Sequence, residues 1–177
     1  MSENPNTLDV DTVLADMQNA VKGRLVADAW YAGMDIFTPD DMDESGKLQV
    51  VADIQQRVNQ SLSAVSKGVC IIVSAPVLTS FACDAPDLYA SDVSLLVRII
   101  ESPLVNRGAT GTRKTASAIG IHSLRALWHF VYLGCTLIPR RAGLVPSEIK
   151  AGALIWDIVY GTKLDLASLE TQPQESP

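Results

Sequence analysis

Of its 177 residues the chain spends only three on cysteine, an odd number. Cys70, Cys83 and Cys135 include no Cys-x-x-Cys pair, so neither a disulfide framework nor a zinc knuckle is supported. Each lies in or beside an apolar stretch, where a free thiol behaves as a small hydrophobe, which fits a reducing compartment. Histidine is scarcer still. His122 and His129 stand seven apart, about 10 Å along a helix at 1.5 Å per residue, which is too far for one metal. Basic residues are the minority, 14 against 20 acids for a net charge of −6, and this argues against a dedicated nucleic-acid binder. No Gly-x-Ser-x-Gly elbow and no signature around a cysteine marks a catalytic nucleophile. The polar, acidic opening MSENPNTLDV is not a secretory signal. An unbroken apolar run of membrane length is also missing. The nearest candidate, residues 116–138, is interrupted by His122, Arg125 and His129, and a central Arg costs about 2.5 kcal/mol or more in a bilayer.

What is present is an apolar body of ordinary single-domain size, 47% hydrophobic and only 19% charged. That is enough for a core, and the low charge hints at surface buried in an assembly. Acidity is concentrated early. Residues 1–67 hold 11 acids and 5 bases, whereas 68–177 hold 9 of each. The densest stretch, Asp40, Asp41, Asp43 and Glu44, reads as a solvated loop, since it lacks the ligand spacing and closing Glu of a calcium-binding loop.

The hydrophobic pattern predicts one domain over 9–166, with loose polar ends at 1–8 and 167–177. Asp9 or Asp11 caps a first helix with Leu14, Met17, Val21 and Leu25 on one face. The aromatic-rich run 28–37 reads as a short strand, a candidate for a sheet edge. A helix follows over 48–67, with Val51, Ile54, Val58, Leu62 and Val65 in step and Gly68 as its stop. VCIIVSA, residues 69–75, is a strand covered on both faces. The connection 82–92 is polar, and 93–100 alternates as a second strand that pairs with the first as a wide hairpin. After the loop 104–115 comes a third helix, its face marked by Ile121, Leu124, Trp128 and Val131, and then a long terminal strand in 153–166. The fold class is therefore α/β (α+β), a mixed sheet of about four to five strands with helices packed on it.

Residues 108–115, GATGTRKT, place Gly108, Lys114 and Thr115 in register with a phosphate-binding Gly-x-x-x-x-Gly-Lys-Ser/Thr loop. Arg113 stands where the second Gly lets backbone approach phosphate. The nucleotide reading competes with a Gly-rich connector whose Arg107, Arg113 and Lys114 face out.

The run ESPLVNRGATGTRKTA, residues 101–116, resembles a motif in tail and head–tail junction proteins of long-tailed bacteriophages. The matching positions are Glu101, Pro103, Asn106, Arg107, Gly108, Gly111, Thr112 and Lys114; Arg113 departs from the Gly usual there. Order agrees upstream too, through Ala27–Ala32, a helix ending in Lys-Gly and a GVCIIV strand, so the likeness spans roughly 12–135. It implies a virion structural protein and no enzyme: a tail terminator forming a ring of six at the head-proximal end of the tail tube. Its partners would be further copies of itself, the tail tube protein and a head-completion or adaptor protein. DNA would pass through without being specifically bound, and no membrane or cofactor is implied. The protein would sit in the virion neck after assembly in the host cytoplasm. A head–tail adaptor or a tail-completion protein is the competing position, and a degenerate P-loop protein the competing class. No catalytic residue comes with the resemblance. The loop is expected to be a mobile contact arm carrying Asn106, Arg107, Thr112, Arg113 and Lys114.

Overall fold

The two-sided strand organises the molecule. In the computed structural model, which describes residues 10–39, 47–63, 67–81, 90–109, 111–145 and 152–165, Val69–Val73 forms β2 with all five residues buried. Val69, Ile71 and Val73 face one cluster, which also holds Val21 and Leu25 from helix α1 (Val10–Val26) and Ala116 and Ile119 from helix α4 (Ala116–Ala126). Cys70 and Ile72 face the opposite cluster, built on Val58 and Leu62. Val58 lies in helix α2 (Lys47–Ser61), and Leu62 follows directly after it. The alternation of Cβ direction along a strand thus gives a three-layer α/β/α sandwich from one apolar run.

The sheet has six strands in one mixed domain. Its path is β1 (Asp35–Phe37), β2, β4 (Ala90–Glu101), β8 (Leu154–Asp165) and β7 (Ile138–Val145), and β3 (Val77–Phe81) also pairs with β4. Among the described residues only β1–β2 is parallel. β4 and β8 pair along their full length, from Ala90↔Asp165 to Glu101↔Leu154. β2 and β4 are antiparallel, Val69 opposite Glu101, which is the expected wide hairpin with β3 inserted in its connection. A third cluster closes the far end, where Val13 and Met17 of α1 meet Val93, Leu164 and Cys135. Cys135 belongs to β6 (Cys135–Thr136), which pairs with β5 (Val131–Tyr132) as a separate small hairpin.

Four expectations need correction. The run 28–37 is not one strand: Asp28 accepts from the Trp30 amide and caps a 3₁₀ turn, Ala29–Tyr31, leaving only 35–37 as an edge strand. The sheet is wider than four to five strands because β7, with exposed residues on both faces, shows no period for a sequence reading to detect. The face of the third helix is rotated. Ile121 and Trp128 are 49% and 58% exposed, while Ile119 and Leu127 are buried, and Val131 lies in β5 instead. The second helix ends at Ser61, short of Lys67. The expected loose ends, the Asp40–Glu44 run and Cys83 fall outside the described residues. Among the described residues no helix is long and apolar enough to cross a membrane.

Candidate functional site: the knot at the end of β4

Glu101 is the last residue of β4 and is fully buried. One carboxyl oxygen, Oε2, accepts from the Ala116 amide at 2.6 Å, and the other, Oε1, accepts from Asn106 Nδ2 at 2.7 Å. Ala116 opens α4, so an acidic side chain sits against the positive end of the helix dipole, where it is favoured. Pro103 begins the short helix α3 (Pro103–Asn106), its fixed φ suited to a first turn.

Asn106, also fully buried, is the hub. Its Nδ2 donates a second hydrogen bond, to the Lys114 carbonyl at 2.8 Å, and its Oδ1 accepts from the Thr112 hydroxyl at 2.7 Å. Its backbone carbonyl accepts from the Arg113 amide at 3.2 Å. Gly111 is packed so tightly on this carbonyl that a Cβ there would lie 1.9 Å from it, so no other residue fits. Thr115 caps α4, its hydroxyl accepting from the Ala118 amide.

Lys114 leaves the knot in the other direction. Its ammonium donates to the Trp30 carbonyl and sits 4.2 Å from the Trp30 ring centroid. The Trp30 ring also stacks with His122, 4.1 Å between centroids at 13°. His122 Nε2 lies 2.8 Å from Asp28 Oδ2. The Trp30 amide, and then His122, hold the Asp28 carboxyl below its usual range. Beneath, the Tyr31 hydroxyl meets Ser123 Oγ at 2.9 Å, and Tyr160 donates to the Ser123 carbonyl. Burial pushes the Tyr31 hydroxyl up to about 12 and raises that of Tyr160. The knot and this stack together fasten the 3₁₀ turn to α4.

The expected contact arm is tied inward at most of its assigned residues. Of the five residues assigned to it, Asn106, Thr112 and Lys114 are brought together and turned inward as internal ties. Only Arg107 and Arg113 are exposed, and Arg113 has a positive φ of 59°. Nor is the loop shaped as a phosphate cradle. The helix N-terminus that would face a phosphate is occupied by Glu101, and Lys114 is engaged with Trp30. In the sequence Glu101 stands out only as part of the motif. Its one available signal was an acid placed at the end of an apolar strand.

Elsewhere, Arg98 of β4 holds Asp157 of β8 through two hydrogen bonds, at 2.8 and 2.7 Å. Asp35 accepts from Ser61 and Arg57, beside a cavity of about 290 Å³ lined by Gly33, Gln60, Lys67 and Val69. Burial raises the Cys70 thiol to about 12, far from a reactive thiolate. Among the described residues no three His, Cys, Asp or Glu side chains gather closely enough to hold a metal ion.

No family model and no curated protein matches the chain. It is similar to two solved structures from Akkermansia muciniphila. One is 9% identical over 89% of this chain and 81% of the other, with a TM-score of 0.33. The second, solved without its transmembrane region, is 8% identical over 96% and 92%, also with a TM-score of 0.33. At that overlap neither bears on the function of this chain.

Proposed function

We propose that this chain is a structural subunit of a long-tailed phage particle, a tail terminator that ends the tail tube as a ring and joins it to the head-completion proteins. One observation carries the reading. Five of the eight residues of 101–116 that match the phage neck motif are those on which this loop depends. Glu101, Asn106, Gly111, Thr112 and Lys114 form one closed set of contacts. A motif that encodes a rigid junction suits an assembly protein, whose task is to hold a surface in place rather than to transform a substrate. The same contacts count against the nucleotide reading, since they consume the groups a phosphate would need. The role requires no cofactor and no catalytic group.

The test is deletion of the gene in its phage. Tails of abnormal length, or tails not joined to heads, are expected. Normal tails joined to heads, or absence of the protein from purified particles, refutes the reading.

A further inference from the structure

Among the described residues the sheet breaks register at two places, between Leu78 and Ser80 of β3 and between Pro139 and Arg141 of β7. Thr79 and Arg140 are the extra residues, without an opposite number on the neighbouring strand. Their strands do not pair with each other, yet both residues line one cavity of about 270 Å³, together with Asp92, Ser94 and Gly161. A bulge bends its strand and re-aims a side chain, and bulges gather beside functional sites. Val93 and Leu95 face the clusters on the α1 and α4 side of the sheet. Asp92 and Ser94 alternate with them and so point to the opposite face. Ser94 stands directly across from Gly161 in the β4–β8 ladder. A Cβ at Gly161 would lie 2.7 Å from Arg140 Nε and 3.0 Å from its Cγ. The stem of Arg140 therefore runs flat across the glycine, along a path that any other residue at 161 would block. Arg98, on the same face, is spent on Asp157. Among the described residues the Arg140 guanidinium has no hydrogen-bond or ion-pair partner, and neither has the Ser94 hydroxyl. The Thr79 hydroxyl donates to the Asp92 carbonyl at 3.1 Å, and Asp92 makes an interaction of its own within the fold. The charge left uncompensated in the cavity is that of Arg140.

We propose that this cavity binds a small carboxylate that carries a hydroxyl or an ammonium on the adjacent carbon. The planar fork of a guanidinium takes a carboxylate through two parallel hydrogen bonds, and the Ser94 hydroxyl adds a third donor. Asp92 limits the negative charge the site accepts, so a phosphate dianion is disfavoured. The same carboxylate has several acceptor positions. It can keep its own interaction and still accept from a ligand donor, which favours a carboxylate bearing one over a plain one. The cavity falls just below the usual range of about 300–1,000 Å³ for ligand sites, which suits a molecule of few atoms and excludes a nucleotide. Two bulges and a glycine slot converging on one unpaired arginine are the observation that carries the proposal. It goes beyond the terminator reading and is independent of it.

The experiment titrates the full ¹⁵N-labelled chain with glycine, glycolate, acetate and inorganic phosphate, and follows backbone amides and the arginine Nε–H signals by NMR. Saturable shifts at Ser94, Arg140 and Gly161 are expected with glycine or glycolate. Acetate, lacking the donor for Asp92, should bind about tenfold more weakly than the better of the two, and phosphate more weakly still. Arg140→Gln should raise the Kd of that ligand about tenfold or more with Tm unchanged, since Arg140 is exposed. Gly161→Ala, which keeps the guanidinium but displaces it, should weaken binding in the same direction, and it decides the matter if Arg140→Gln proves unstable. No saturable shift with any of the four up to about 10 mM, tenfold above a Kd of 1 mM, overturns the proposal. So does acetate or phosphate binding as tightly as glycine and glycolate, or binding that survives unchanged in Arg140→Gln or Gly161→Ala.

Discussion

Replacing Asn106 by Ala removes the hub of the knot. The side chain is fully buried and supplies the donor for Glu101 Oε1 and for the Lys114 carbonyl, at 2.7 and 2.8 Å. The Thr112 hydroxyl loses its acceptor as well. Leaving a buried polar group without its partner costs about 1–3 kcal/mol. Glu101 lies inside, whereas the Lys114 carbonyl and the Thr112 hydroxyl are each part-buried and keep some access to water. The loss is therefore about 3 kcal/mol, which for a domain of this size lowers Tm by roughly 6–12 °C. Arg107→Ala, one residue further and exposed, should stay within about 0.5 kcal/mol of the parent. Calorimetry and urea titration of both variants measure the contrast. If Asn106→Ala melts with the parent, or no lower than Arg107→Ala, the knot is not a structural tie.

Gly120→Ala should destabilise by about 1–3 kcal/mol through overpacking, because a methyl there would approach the Trp156 indole to 2.4 Å; a urea titration followed by tryptophan fluorescence reads it. Arg98→Ala leaves Asp157, its side chain only 10% exposed, without its partner. Since Arg98 is itself 35% exposed, solvent screens the pair, and the expected cost is about 1–2 kcal/mol, measured by denaturation at pH 7. Raised tyrosine pKa values make the fold sensitive to alkali. Tyr31 keeps its proton up to about 12 in the folded state, against about 10 when unfolded. Its contribution is whole below pH 10 and is lost as pH rises toward 12, so Tyr31→Phe should flatten the fall in stability over that window.

The sequence was most readable where periodicity was pure. The five-residue β2 and the alternating β4 each have one register that satisfies both faces of the sheet, and a one-residue slip would invert every side chain. Legibility failed where burial and residue type part company. β7 is an edge strand in contact with solvent on both faces, so IPRRAGLV carries no alternation. DAWYAG has the aromatic content of a strand, but the carboxyl of Asp28 bonds the Trp30 amide and winds the chain into a turn instead. Ile121 and Trp128 are apolar yet exposed, so spacing alone placed them on the wrong face of α4. The knot was hidden for the opposite reason. Glu101 and Asn106 look like loop residues open to water, and only the tertiary contacts reveal them as interior, with Thr112 half-buried beside them. The motif marked the segment, but physical reading of composition assigned its polarity to a solvated arm.

The central claim is that this chain forms a ring between the tail tube and the head-completion proteins. Cryo-electron microscopy of the neck of the intact phage particle tests it most directly. The account predicts density for this α+β fold as a single ring, six subunits by the phage resemblance, seated on the last ring of the tube. A neck whose rings are all filled by other chains would contradict it.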